Sequence, residues 1–193
     1  MDFKNKILST IKIFGDHLNH YRWYQFLNGK YKWINYSCLV LLFLFYYFSL
    51  PKPLFSDPVC IVLEDEQQNL LGARIAKDGQ WRFPNSDSLP QKYITCLINF
   101  EDKRFYYHPG FDPISLCRAF ISNVKNGHVV SGGSTISMQT IRLSRKNPSR
   151  TLWEKLIELF LVTRLEFGYT KNEILNLYAS HAPFGGNVVG LEA

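Results

Sequence analysis

The chain has 193 residues, 46% hydrophobic and 16% aromatic, with a formal net charge of +6. That length allows one globular domain of ordinary size plus a membrane segment. The charge is uneven: Lys4, Lys6, Lys12, Arg22, Lys30 and Lys32 face only Asp2 and Asp16 before position 34, and the balance after position 50 is nearly neutral. Basicity is therefore no argument for nucleic acid. The positive-inside rule explains it better, with a cytoplasmic N-terminus and the remainder sent outward.

In chain order, Phe3, Ile7, Ile11, Phe14 and Leu18 recur at helical spacing. They read as a basic amphipathic helix or as a solvated tail that orients an anchor. Residues 34–50 carry no charge and are just long enough to span a bilayer core of roughly 30 Å, with Trp33 at the edge. A long leading segment without a small-x-small site argues against a cleaved signal peptide, and Pro51-Lys-Pro53 stops the helix. Residues 59–63, 70–76 and 80–83 read as short strands, with Asp78-Gly79 as a hairpin turn between the last two.

Helices follow. Ser88-Leu-Pro-Gln91 reads as a capping box, and Tyr93, Ile94, Leu97 and Ile98 form a stripe that delivers Glu101 at a helix C-terminus. Asp112-Pro113 starts the next helix, which closes near Asn126-Gly127. Residues 129–135 are a Gly-rich loop. A helix runs from about Ser149 to Phe167, and Thr170-Lys-Asn-Glu173 opens one more, through about Ser180, before a Pro/Gly turn at 182–187.

Cys38 lies in the apolar run, and Cys60, Cys96 and Cys117 lack zinc-type spacing. Free buried thiols are expected, with a Cys96–Cys117 disulfide as the alternative. The five His show no metal-binding pattern, so no metal site is expected.

Three features carry chemistry. Glu101 and Asp102 stand beside Phe105, Tyr106 and Tyr107. Adjacent acids are usually a solvated surface, but aromatics that exclude water from a carboxyl group tune it for proton transfer. Glu158 sits in a helix apolar on almost every side and so expected to be largely buried, where a carboxylate needs a partner; Lys155 one turn earlier is the candidate. Carboxylates from two helices around a cleft are also the apparatus of sugar chemistry at an anomeric carbon. Arg142, Arg145, Lys146, Arg150 and Lys155 follow a Gly-Gly-Ser-Thr loop. Backbone N–H groups, hydroxyls and cations together suit phosphate oxygens.

These stretches resemble, in order, the motifs of the family 51 peptidoglycan glycosyltransferases, the lysozyme-like domains of class A penicillin-binding proteins and monofunctional transglycosylases. Glu101-Asp102, Phe105, His108-Pro-Gly and Asp112 resemble the first motif. Gly133-Ser-Thr-Ile with Gln139 and Arg142 resembles the second, and Arg150-Thr-Leu with Lys155 and Glu158 the third. Lys171, Ile174-Leu and Tyr178 resemble the fourth, and Gly190-Leu with Ala193 the start of a fifth. Ser131-Gly-Gly-Ser-Thr, Met138-Gln139 and Ala182-Pro-Phe-Gly-Gly look most like the 1C subtype.

The resemblance implies a mainly α protein: a cytoplasmic basic tail (1–33), a transmembrane signal anchor (34–50), a short β linker (51–87) and a lysozyme-like helical glycosyltransferase domain incomplete at its C-terminus (88–193). It implies lipid II and the growing glycan strand as substrates. Glu101 becomes the general base, and Glu158 a second catalytic carboxylate that orients or assists. Asp102, His108, Ser134, Thr135 and Gln139 become substrate-binding, and Arg142, Arg150 and Lys155 neutralise the diphosphate. No cofactor is required, and a Mg or Mn ion at the diphosphate is compatible with the chemistry. The membrane and other cell-wall synthesis proteins are the implied partners, with the domain outside a bacterial inner (plasma) membrane.

Met138, Glu154 and Ala179-Ser180 depart from the pattern; Glu154 stands where a basic residue is common and weakens the cationic site. No Ser-x-x-Lys accompanied by Lys-Thr-Gly is present, so no transpeptidase activity is expected. The alternatives are a membrane-anchored remnant that binds without turnover and a lysozyme-like glycan hydrolase, which needs no diphosphate-binding basic stretch.

Overall fold

The computed structural model describes residues 29–67, 69–84 and 88–193. The expected helix over 3–18 lies outside them. The chain divides into two compact units, Met1–Ser49 and Leu50–Ala193.

The described part of the first unit is one helix, α1 (Lys32–Tyr47), with no buried residue. Ser49 closes it by donating its hydroxyl to the Tyr46 carbonyl at 2.7 Å. Sixteen residues at about 1.5 Å each rise about 24 Å, less than a bilayer core. Among the described residues no helix is long and apolar enough to cross a membrane. The helix ends three residues short of the span expected from the charge-free run.

The second unit is mainly helical. It opens on an antiparallel hairpin of β1 (Ile61–Glu64) and β2 (Leu70–Arg74), in register Ile61 to Arg74. The paired strands are joined after Glu64, where the Asp65 carboxylate accepts from the backbone N–H of Gln67 (2.9 Å) and Asn69 (2.7 Å). The expected turn at Asp78-Gly79 also forms, with Gly79 at φ 75° and the Ala76 N–H donating to the Gln80 carbonyl at 3.2 Å. The segment after it, expected as a third strand, leaves the hairpin. Trp81 forms a parallel bridge to Val188, and the Arg82 carbonyl accepts from the Cys60 N–H at 2.7 Å. Leu50 and Leu54 join the helical core and Phe55 stacks on His181 at 3.6 Å, so the start of the expected β linker packs as part of the helical unit.

Helix α2 (Gln91–Glu101) buries Leu97 and packs Tyr93, Ile94 and Ile98 on the core, as their spacing requires. Its N-cap is Pro90 with no side-chain cap, so the expected capping box at Ser88 does not form. A single 3₁₀ turn (Phe105–Tyr107) leads to α3 (Pro113–Asn126). Asp112 caps α3 and Gly127, left-handed at φ 67°, closes it.

The sequence reading missed α4 (Ile136–Ser144), the most buried helix of the core. Its Ser137 and Thr140 disguise a buried segment as a polar loop. Both hydroxyls are satisfied internally, Ser137 by Glu166 at 2.5 Å and Thr140 by the Ile136 carbonyl at 2.9 Å. Around α4 pack α5 (Leu152–Gly168) and α6 (Lys171–His181). Thr151 caps α5 and the Thr170–Glu173 capping box opens α6. The expected Pro/Gly turn is a small hairpin of β3 (Pro183–Gly185) and β4 (Val188–Val189).

Two expectations are corrected. Helix α5 is buried on one side only: Glu158, Leu161, Val162, Arg164 and Leu165 face inward, while Leu152, Trp153, Leu156, Phe160 and Phe167 are exposed. The four cysteines are free, but Cys60 alone is buried; Cys38, Cys96 and Cys117 are exposed.

Candidate active site

The C-terminus of α2, the 129–135 loop, α4 and the start of α5 enclose a cleft of about 670 Å³. Glu101, Ser134, Gln139, Arg142, Arg150, Lys155 and Glu158 all line it. The first carboxylate and the three cations, 41 to 54 positions apart in the sequence (142 − 101 and 155 − 101), therefore share one surface. Exposed Phe120, Val129 and Leu152 add an apolar border.

Glu101 is exposed at the end of α2. The water exclusion expected from its aromatic neighbours is not built: Phe100 and Tyr107 point to solvent, while Phe105 is the fully buried core residue. What holds Glu101 is an amide, since Gln139 Nε2 donates to its Oε2 at 2.7 Å. Tyr178 on α6 in turn donates its hydroxyl to Gln139 Oε1 at 3.2 Å. Burial, then the charge of Glu101, pushes the Tyr178 hydroxyl up to about 12.

Glu158 is buried, and its main partner is Arg142, not the Lys155 expected from helical spacing. Arg142 Nε and an Nη donate to the two carboxylate oxygens at 2.6 and 2.8 Å. The expected pair with Lys155 also forms, at 3.8 Å, while Lys155 Nζ donates to Ser134 Oγ at 2.7 Å. The carboxylate raises Arg142 above its usual value. Burial lowers Lys155, with Glu158 opposing and Arg142 and Arg150 assisting. Arg150 is exposed and, among the described residues, has no ion-pair partner. Glu154, expected to weaken this cationic site, is paired with Arg145, so its charge is offset locally.

Asp102, His108 and Thr135 are buried and do not line the cleft. His108 Nε2 donates to Asp102, 3.0 Å from both oxygens, because Nδ1 accepts the Gly110 N–H at 3.1 Å. The same carboxylate accepts the Ile136 N–H at 3.1 Å, an anion at the first turn of α4. Thr135 caps α4, accepting from Met138 N–H at 3.2 Å and donating to the Gly110 carbonyl at 2.5 Å. These three therefore fix where Glu101 and α4 sit. Gly110 permits the approach: at φ 91°, an added Cβ there would lie 2.8 Å from Glu166 Cγ and 2.9 Å from Val162 Cγ2.

Sequence reasoning missed a second polar tie. Lys171 Nζ donates to Glu166 and to the His108 carbonyl, both at 2.8 Å, and lies 4.5 Å from the Phe105 ring. Its helical neighbours gave no signal of this, since both partners of Lys171 lie on other elements.

The transglycosylase family model matches residues 68–193, well over half of the chain, and spans every residue of this cleft. The chain belongs to the transglycosylase family. It is 42% identical over 117 residues to penicillin-binding protein 1C of Escherichia coli K12, covering 60% of this chain and 15% of that protein. With penicillin-binding protein 1A of the same organism it shares 39% over 107 residues (55% and 13%). With the monofunctional glycosyltransferase of Staphylococcus aureus strain Newman it shares 38% over 110 residues (57% and 40%). The chain thus aligns with well under half of each of these relatives, and no transpeptidase domain lies in it. Within the transglycosylase family frame, the motif residues divide by location: Glu101, Ser134, Gln139, Arg142, Arg150, Lys155 and Glu158 on the cleft, and Asp102, His108 and Thr135 beneath it.

Proposed function

We propose that this transglycosylase polymerises lipid II into glycan strands. Glu101 takes the proton from the acceptor sugar's 4-hydroxyl. That oxygen attacks the anomeric carbon of the growing chain with inversion, and the bond to the undecaprenyl diphosphate breaks. The observation that carries this reading is the shared cleft: the exposed Glu101 carboxylate and the cations Arg142, Arg150 and Lys155 line the same cavity. A reaction that creates an anionic leaving group needs positive charge placed where that charge develops. Ser134 and Gln139 supply further polar contacts, and the apolar border of Phe120, Val129 and Leu152 suits the lipid part of the substrate. Glu158, already clamped by Arg142, acts by orienting that guanidinium. Asp102, His108 and Thr135 act through the backbone they hold.

No cofactor is required on this reading, and a Mg or Mn ion held largely by the diphosphate is compatible with it. Among the described residues no three His, Cys, Asp or Glu side chains converge to hold an ion by themselves. The two carboxylates nearest the cations, Glu154 and Glu158, are engaged by Arg145 and Arg142. No step is assigned to a metal.

The helical unit is read as a lysozyme-like domain of the 1C type, outside a bacterial plasma membrane and held there by α1 and the residues around it. The exposed apolar surface of α1 and the basic excess ahead of it support this. Other cell-wall synthesis proteins are the expected partners.

The test is chain formation from fluorescent lipid II, followed by gel. Glu101→Gln keeps the shape and loses the base, so polymer formation should fall about 10²–10⁴-fold while lipid II binding persists. Near-normal polymer from that variant removes Glu101 from the role of base.

A further inference from the structure

The Glu101 carboxylate is not free to turn, although it is exposed. Gln139 Nε2 donates to Oε2 at 2.7 Å, and among the described residues Oε1 accepts nothing. The amide is held from its other end, where the Tyr178 hydroxyl donates to Oε1 of Gln139 at 3.2 Å. Tyr178 is itself anchored: it stands on the capped helix α6 and packs against the hydrophobic core. The result is a chain of donors pointing one way, from phenol to amide to carboxylate. In such a chain each bond polarises the next. A flipped amide would set its oxygen against the carboxylate, so the charge of Glu101 and the phenol select one orientation of Gln139.

We propose that Tyr178 is a positioning residue which, through the Gln139 amide, fixes the Glu101 carboxylate with Oε2 occupied and Oε1 presented to the cleft. This rests on the reading of Glu101 as the base. A proton acceptor works only within hydrogen-bond reach and at the right angle to the hydroxyl it serves. Glu101, at the last residue of a helix and surrounded by solvent, has no packing to provide that angle. The relay provides it. The phenol stays a donor across the working range, because burial and the nearby carboxylate hold its proton on to about pH 12.

The groups facing Glu101 are few. Tyr93 on its own helix and Tyr178 on α6 both feel its charge. The same cleft is lined by Arg142 on α4, Arg150 before α5, and Glu154, Lys155 and Glu158 on α5. Tyr178→Phe removes one oxygen and keeps the ring, and it replaces none of the other groups named.

The experiment compares wild type, Tyr178→Phe and Glu101→Gln in the full chain. Lipid II polymerisation is followed by gel over a range of lipid II concentrations, so that kcat and KM are separated, and thermal unfolding is measured beside it. Tyr178→Phe should unfold at the wild-type temperature. Its kcat should fall about tenfold, the barrier equivalent of one hydrogen bond, with KM for lipid II unchanged. An unchanged kcat in a folded Tyr178→Phe protein overturns the proposal. So does a fall in rate that appears in KM alone. Full activity of Glu101→Gln sinks the base reading itself, a result separable from the Tyr178→Phe outcome.

Discussion

At the scale of single residues, the site depends on charges that are tied before any substrate arrives. Glu158 and Arg142 are joined by two hydrogen bonds with little exposed surface on either side chain. Taking both charges from water is costly, so the pair is weak evidence for net stability, but breaking it by removing one partner is expensive. Glu158→Ala should destabilise the domain by about 3 kcal/mol, read by urea unfolding. The double replacement Glu158→Leu with Arg142→Met should restore most of that loss and abolish polymerisation, because the charge that faces the leaving group goes with it. A single variant as stable as wild type would mean that Arg142 turns to water at no cost, and the clamp would lose its role. The expected Lys155–Glu158 pair was a reasonable reading of one helix; only the approach of α4 brings a better partner.

At the scale of elements, helix starts position the chemistry. Asp112 caps α3, accepting from the N–H groups of Ile114 (3.0 Å) and Ser115 (3.2 Å), and takes two hydrogen bonds from Arg104. Burial opposes its ionisation, but Arg104, Ser115 and the backbone outweigh it and hold the carboxyl down at about 2. A depressed acid contributes stability that is complete above its unfolded value near 3.8 and is lost as pH falls through about 2. Asp112→Asn keeps a good cap and loses the charge. Wild type should therefore exceed Asp112→Asn in urea midpoint at pH 6, and the two should converge by about pH 2. Asp112→Ala should cost about 1 kcal/mol more than Asn at neutral pH, since the cap is lost as well. A difference between wild type and Asn that persists at pH 2 would show that the ion pair is not its origin.

For the whole molecule, the question is where the helical unit stands relative to the membrane. Cys96 and Cys117 are exposed on that unit and Cys60 is buried within it. If the domain lies outside the plasma membrane, a membrane-impermeant maleimide should label Cys96 and Cys117 on intact spheroplasts at the rate seen after lysis. Cys60 should react only after unfolding. Protection of both exposed thiols until lysis would reverse the topology. The exposed face of Leu152, Trp153, Leu156 and Phe160 on α5 is a further reason to expect the domain close to an apolar phase.

Much was determined by the sequence alone. Short-range chemistry wrote the Asp112 and Thr170 caps, the Gly127 stop, the stripe of α2 and the placement of Glu101 at that helix's end, because each depends on residues within a few positions of one another. The motif residues were legible for the same reason. What only the tertiary structure decided involves partners distant in sequence. Gln139 reaches Glu101 across 38 positions, Tyr178 reaches Gln139 across 39, and Arg142 reaches Glu158 across 16. The bridge of Trp81 to Val188 likewise joins residues far apart in the sequence. Helix α4 stayed hidden because its polar residues bond inside the fold, to Glu166 and to its own backbone, and a buried polar residue with a distant partner looks like a solvated one until the partner is in place.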